Sequence, residues 1–156
     1  MNRVPLTPEG KEKLMLELST MKKVERPKII KEIETARAHG DLSENAEYHA
    51  AREKQSLLEA RIRLFEDQLS RAEVIDASKL SCEKVVFGMT VTVYDEAIDK
   101  EKKYRIVGEL EADIEKGFLS VTSPMAKALI GKQEGDVASV QAPGGTKDLV
   151  IVKITL

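Results

Sequence analysis

From Tyr48 to Ala72 the apolar positions step by three and four: Tyr48, Ala51, Leu58, Ile62, Phe65, Leu69 and Ala72, with Gln55 as the one polar member. Alternating steps of this kind keep one helix face apolar along its whole length, and that face needs a second helix to cover it. The partner lies upstream. Thr7-Pro8-Glu9 reads as a helix start, with Thr7 as the N-cap and Pro8 at the first helical position. Leu14, Leu18, Met21 and Val24, then Ile30, Ile33 and Ala36, form its apolar stripe, and Gly40 ends it. Pro27 has no N–H and its ring meets the carbonyl of Lys23, so a kink or a break is expected there. A helix from Lys11 to Ala38 is roughly 42 Å long at about 1.5 Å per residue. A connection of about four residues forces the two helices into an antiparallel hairpin, whose far end is expected to project.

The texture then changes. Of the 63 residues from Lys11 to Glu73, 39 are Ala, Glu, Lys, Leu or Arg, as in long helices. Seven of the nine glycines lie beyond residue 80, separated by short β-branched runs, which is strand-and-turn texture. Strands are expected at Val85–Phe87, Met89–Tyr94, Lys103–Val107, Leu119–Thr122, Asp136–Gln141 and Asp148–Thr155, with a turn at Pro143-Gly144-Gly145. Ser123-Pro124 starts a short helix, Met125–Ile130, closed by Gly131. The fold class expected is α+β: a helical hairpin over residues 1–77 and a small antiparallel sheet with one short helix over residues 78–156.

Charge and motifs narrow the chemistry. Twenty-five Lys and Arg against 27 Asp and Glu leave no electrostatic grip for free nucleic acid, and six aromatics leave little for base stacking. No P-loop, G-x-G-x-x-G or G-x-S-x-G occurs. One cysteine, Cys82, forbids an intrachain disulfide and reads as inert packing. No apolar run is long enough to span a membrane, and MNRVPLTPEG lacks the apolar core of a signal peptide.

The richest stretch is the expected hairpin tip, His39 to Tyr48. Asp41 and Glu44, three apart at a helix start, read either as a capping box or as two carboxylates able to share one Mg²⁺. A solvated pair holds Mg²⁺ poorly, so the metal reading needs a partner that brings the remaining ligands. Arg37, His39, Arg52 and Lys54 read as a solvated face or as a small phosphate-contact patch. Tyr48 reads as seam packing or as a ring that stacks on a base. His39 and His49 have no partner at zinc-ligand spacing.

The run Gly40-Asp41-Leu42-Ser43-Glu44-Asn45-Ala46-Glu47-Tyr48-His49-Ala50-Ala51-Arg52 resembles the hairpin-tip signature of the GreA/GreB family of bacterial transcript cleavage factors. Arg26-Pro27, Ile29-Ile30, Tyr104-Arg105-Ile106-Val107-Gly108, Ser123-Pro124, Leu129-Ile130-Gly131-Lys132 and Pro143-Gly144-Gly145 extend the similarity along the whole chain. Leu42 and His49-Ala50-Ala51-Arg52 are nearer the GreA side of the family. The resemblance implies a cytoplasmic, monomeric accessory factor. Its coiled coil enters the secondary channel of bacterial RNA polymerase, and an FKBP-like C-terminal domain docks at the rim. It further implies that Asp41 and Glu44 help to hold the second catalytic Mg²⁺ of the polymerase and to position water. Arg37, Arg52 and Tyr48 would contact the nascent RNA 3′ end, and Ser123 and Pro124 the polymerase. The polymerase, not this chain, would then hydrolyse its backtracked transcript. Rival readings are an inhibitory paralogue that occupies the channel, a prolyl isomerase suggested by the fold alone, and a coiled-coil adapter. The unaltered acidic tip and the few aromatics of the second half speak against all three.

Overall fold

The computed structural model describes residues 2–41 and 44–156. Their packing separates two units, one built on Glu12–Ala72 and the other on Arg3–Lys11 with Glu73–Leu156. The first β-strand and first helical turn thus pack with the C-terminal part of the chain. Among the described residues no helix is long and apolar enough to cross a membrane.

The first unit is the expected hairpin. Helix α1 (Pro8–Thr20) runs through a π-helical turn (Met21–Glu25) into α2 (Arg26–Arg37), and α3 (Ala46–Ser70) packs back against them. Pro27 neither breaks the helix nor leaves it regular. It cannot donate to the carbonyl of Lys23, and the ladder widens just before it, with the Arg26 N–H bonding to the Met21 carbonyl. The extra residue also shifts the phase of the buried face. Met21 is buried, and the next buried positions are Ile33 and Ala36, with Ile29 half-buried between them. Eight residues from Met21 to Ile29 thus do the work of a seven-residue heptad. This corrects the expected stripe: Val24 is 59% exposed and Ile30 is 43% exposed.

On α3 the expected seam holds. Ala51, Ile62 and Phe65 are buried, and Tyr48, Gln55, Leu58 and Leu69 are half-buried; the last expected position, Ala72, falls beyond the helix in a β-strand. Four ion pairs cross the hairpin: Glu17–Arg61 (3.5 Å), Lys22–Glu66 (2.7 Å), Arg26–Glu59 (2.8 Å) and Glu32–Lys54 (3.5 Å). From Lys22–Glu66 through Arg26–Glu59 to Glu32–Lys54 the second number falls as the first rises, which is antiparallel register read from charge; Glu17–Arg61 reaches across out of that sequence. The Arg26 fork grips Glu59 through two bonds of 2.8 Å and holds that carboxyl below its ordinary range. Exposed pairs of this kind add little stability and mainly select partner and register.

The second unit holds a two-stranded ribbon of β1 (Val4–Leu6) and β2 (Ala72–Val74), which periodicity did not reveal. Its main sheet is β3 (Thr90–Asp95), β4 (Lys100–Val107), β5 (Phe118–Ser120), β6 (Val137–Ala142) and β7 (Gly145–Thr155), in the order β5-β4-β3-β7-β6. The α+β class stands, but the sheet is mixed rather than antiparallel, because β5 runs parallel to β4. The chain between them turns through Glu109–Glu111 and Ile114–Lys116, so β5 returns beside its partner in the same direction. Val85–Phe87 is not a strand. Val85 instead exchanges backbone bonds with Gly131 and Lys132 after α4 (Pro124–Leu129), at 2.8 and 2.9 Å. Val85, Met89, Val91, Val93, Ile106, Leu129 and Ile151 form the centre of the core.

Two polar knots pin this unit. Thr7 caps α1 as expected, accepting from the Gly10 N–H at 3.0 Å. The Glu111 carboxylate accepts from the Thr7 hydroxyl, the Thr7 N–H and the Gly108 N–H. A Cβ at Gly10 would run into that carboxylate, so a larger residue there would have to push the Glu111 side chain out of the knot. The other knot is Asp95, 2% exposed, whose carboxylate meets the Lys147 ammonium at 2.7 Å and accepts from the Ala97 N–H. Chiefly the Lys147 contact, helped by the Ala97 N–H and opposed by burial, holds the Asp95 carboxyl below its ordinary value. A lowered folded-state value means that the stabilisation is complete above the unfolded-state value of 3.8 and is lost as the pH falls through the folded one. Wild type is therefore expected to exceed Asp95→Asn in urea midpoint at neutral pH. The gap should narrow as the pH drops below about 4. A gap that stays constant down to about pH 2 would contradict this assignment.

Candidate functional site at the hairpin tip

Helix α2 ends at Arg37, Ala38 caps it, and Gly40 takes φ +118°, a conformation open to glycine, so the chain can turn away from the helix axis. Arg37 in the last turn complements the helix C-terminus, and Glu47 in the first turn of α3 complements its start. Leu42 and Ser43, part of the tip signature, lie outside the described residues. Asp41 and Glu44 are both exposed and belong to the segment joining α2 to α3.

The capping-box reading of Asp41 and Glu44 is overturned. The N-cap of α3 is Asn45, with φ −84° and ψ 96°, and its Oδ1 accepts from the Tyr48 N–H at 3.0 Å. The helix starts one turn later than that reading assumed, so neither acid is the N-cap. The same Asn45 amide does a second job: its Nδ2 donates to the Ala36 carbonyl of α2 at 2.6 Å. Asn45 thus adds a second donor to the Ala36 carbonyl, which also accepts from the His39 N–H at 3.1 Å, and satisfies an orphan donor at the start of α3. Sequence reading missed it. The available signal was an Asn directly before an acidic first turn and an apolar periodic run.

The neighbouring cations are arranged unevenly. Arg37 and Arg52 are exposed; His39 lies 3.8 Å from Glu47, and Lys54 pairs with Glu32 across the hairpin. A groove of about 510 Å³ runs between α2 and α3, lined by Lys28, Lys31 and Lys54 together with Glu32 and Glu47. Arg37 and Arg52 do not line it; Lys28 and Lys31 are cations that sequence reading passed over. Tyr48 is half-buried, its ring edge-on to His49 at 5.5 Å between centroids, which leaves part of the ring open to solvent.

The donor set defines what the tip can do. Asp41 and Glu44 offer hard carboxylate oxygens of the kind Mg²⁺ accepts. That ion takes about six oxygen ligands and sheds its waters reluctantly. Among the described residues no group of three or more His, Cys, Asp or Glu stands together to hold a metal. The pair therefore fits Mg²⁺ as a partial ligand set, completed by oxygens from elsewhere.

Ser123 and Pro124 sit in the other unit. Ser123 caps α4, accepting from the Ala126 N–H at 3.2 Å and donating to the Ser120 carbonyl at 2.7 Å, and Pro124 opens the helix. The hydroxyl is spent inside the unit, whereas Pro124 is exposed. Cys82 is half-buried beside the core.

Comparison with known proteins covers both parts of the chain. Residues 4–74 match the family described as the N-terminal domain of transcription elongation factors GreA/GreB, and residues 80–156 match the corresponding C-terminal domain. Transcription elongation factor GreA of Hyphomonas neptunium is 56% identical over 99% of this chain and 98% of its own. GreA of Alkalilimnicola ehrlichii is 57% identical over 99% and 98%. Among solved structures, GreA factor homolog 1 of Thermus thermophilus is 29% identical with a TM-score of 0.46, covering 99% of this chain and 100% of that one. The GreA/GreB factor of Nitrosomonas europaea is 22% identical with a TM-score of 0.44, covering 99% and 100%.

Proposed function

As the chain belongs to the GreA/GreB family of transcription elongation factors, we propose that it inserts its hairpin tip into the secondary channel of bacterial RNA polymerase and stimulates cleavage of backtracked nascent RNA. The observation that carries this reading is an exposed acidic pair, Asp41 and Glu44, in the segment that joins the two arms of the hairpin. Such a pair is useful only where another molecule presents the remaining ligands. In the polymerase active centre, bound Mg²⁺ would supply an activated water and charge neutralisation at the reacting phosphate. The contribution of this chain is narrower. Asp41 and Glu44 bring two carboxylates to an ion that the polymerase and its RNA otherwise leave incompletely held. Arg37 and Arg52 meet RNA phosphates beside the tip, and the open part of the Tyr48 ring faces the nascent 3′ end. Pro124, with the start of α4 around Ser123, supplies a polymerase contact. The chain is an accessory factor, monomeric when free, cytoplasmic, and not itself a nuclease.

The test is reconstitution. Stalled, backtracked elongation complexes given purified protein and Mg²⁺ should shorten their RNA from the 3′ end. The protein alone with the same RNA should leave it intact. Cleavage without polymerase would refute the accessory role, and no shortening in the complete mixture would refute the function.

A further inference from the structure

We propose that Asn45 is the positioning residue of the tip, holding Asp41 and Glu44 in register with the hairpin through its bridge between α2 and α3. The inference rests on the cleavage-factor reading and names a residue on which that site depends.

The geometry carries it. Asp41 and Glu44 lie in the segment between the end of α2 at Arg37 and the N-cap of α3 at Asn45. The Asn45 amide closes this segment with one donated bond to the Ala36 carbonyl (2.6 Å) and one accepted bond from the Tyr48 N–H (3.0 Å). The partners leave no ambiguity about which end of the amide is which, because a carbonyl only accepts and a backbone N–H only donates. The His49 N–H bonding back to the Asn45 carbonyl fixes the backbone of the same residue as the start of α3. Among short side chains only Asn carries its donor and its acceptor on separate atoms. Asp keeps the acceptor but has no donor when ionised. Ser is an equally good N-cap but is shorter by one heavy-atom bond and cannot span both helix ends. Gly40 at φ +118° contributes no side chain, and the Asn45 bridge ties together the two helix ends between which Asp41 and Glu44 lie. Partial metal ligands act only when held in place, and a small displacement of a reacting group is costly.

Two substitutions separate positioning from simple capping. Asn45→Ser and Asn45→Asp both retain an N-cap for α3, so helical content and thermal midpoint should stay close to wild type. The cleavage rate at saturating factor is expected to fall about tenfold in both, with the half-saturating factor concentration unchanged. Asn45→Gln, with donor and acceptor restored on a longer arm, should recover part of the loss. Full cleavage by Ser and Asp variants at saturation would overturn the proposal. So would a loss matched by weaker polymerase binding or by a lower thermal midpoint, which would make Asn45 a structural cap only. Wild type and Asp41→Asn run alongside locate the failure. If wild type itself stimulates no cleavage, the functional reading has failed; if wild type is active and the Asn45 variants equal it, only the role of Asn45 has.

Discussion

Asp41→Asn and Glu44→Gln are each expected to lower the rate of stimulated transcript cleavage by at least about a hundredfold while leaving polymerase binding intact. Each change keeps the shape of the side chain and removes one negative charge. An amide oxygen is a poor substitute for carboxylate at a hard divalent ion, so the effect falls on the chemical step. Both residues are exposed and the N-cap of α3 is Asn45, so the helical hairpin itself should persist in both variants. Competition for polymerase against the wild-type factor measures binding, and RNA shortening in stalled complexes measures chemistry. Undiminished cleavage by both variants would remove the acidic pair from the mechanism.

The second large effect is on stability. Phe65 is 4% exposed in the hairpin seam, with the Arg61 guanidinium 5.3 Å above its ring. Phe65→Ala is expected to cost about 3–5 kcal/mol through lost burial and the cavity left behind. Against a total of about 5–15 kcal/mol for an ordinary domain, that is a large share. Phe65→Leu should cost less, since more of the buried volume is kept. Val24→Ala is the informative control. Heptad spacing places Val24 in the seam, whereas the π-helical turn leaves it 59% exposed, so its truncation should stay within about 0.5 kcal/mol. Urea unfolding followed by helical circular dichroism measures all three. A Val24→Ala loss as large as that of Phe65→Ala would show the seam running where simple spacing put it.

The hairpin was legible because long-range order along a helix is written in side-chain period, and α3 keeps one from Tyr48 to Leu69. Helix one was less legible at its middle. Its apolar residues include one set that packs and another, Val24 and Ile30, that does not. Nothing in their identity separates the two sets, since the separation comes from one inserted residue before Pro27. In the second unit, turn residues marked the strands well, as at Pro143-Gly144 between β6 and β7. Short runs misled. Val85–Phe87 has strand composition, yet it makes only single bridges to the chain after α4.

At the tip, residue identity pointed to Asp41 and Glu44 and to the cations nearby, but it assigned the helix start to the wrong residue. Capping preference alone cannot choose among Asp41, Ser43 and Asn45, all good N-cap types. The N-cap is Asn45, whose side chain also reaches the Ala36 carbonyl, a group nine residues earlier that comes close when α2 and α3 pack. Composition, period and motif therefore sufficed for two parts, a hairpin and an acidic tip, because these depend on local chemistry repeated along the chain. The phase of the buried face, the parallel seating of β5 and the double role of Asn45 depend on which distant groups meet. That meeting is a property of packed helices and paired strands, where each orphan donor or acceptor takes the partner that folding brings within reach.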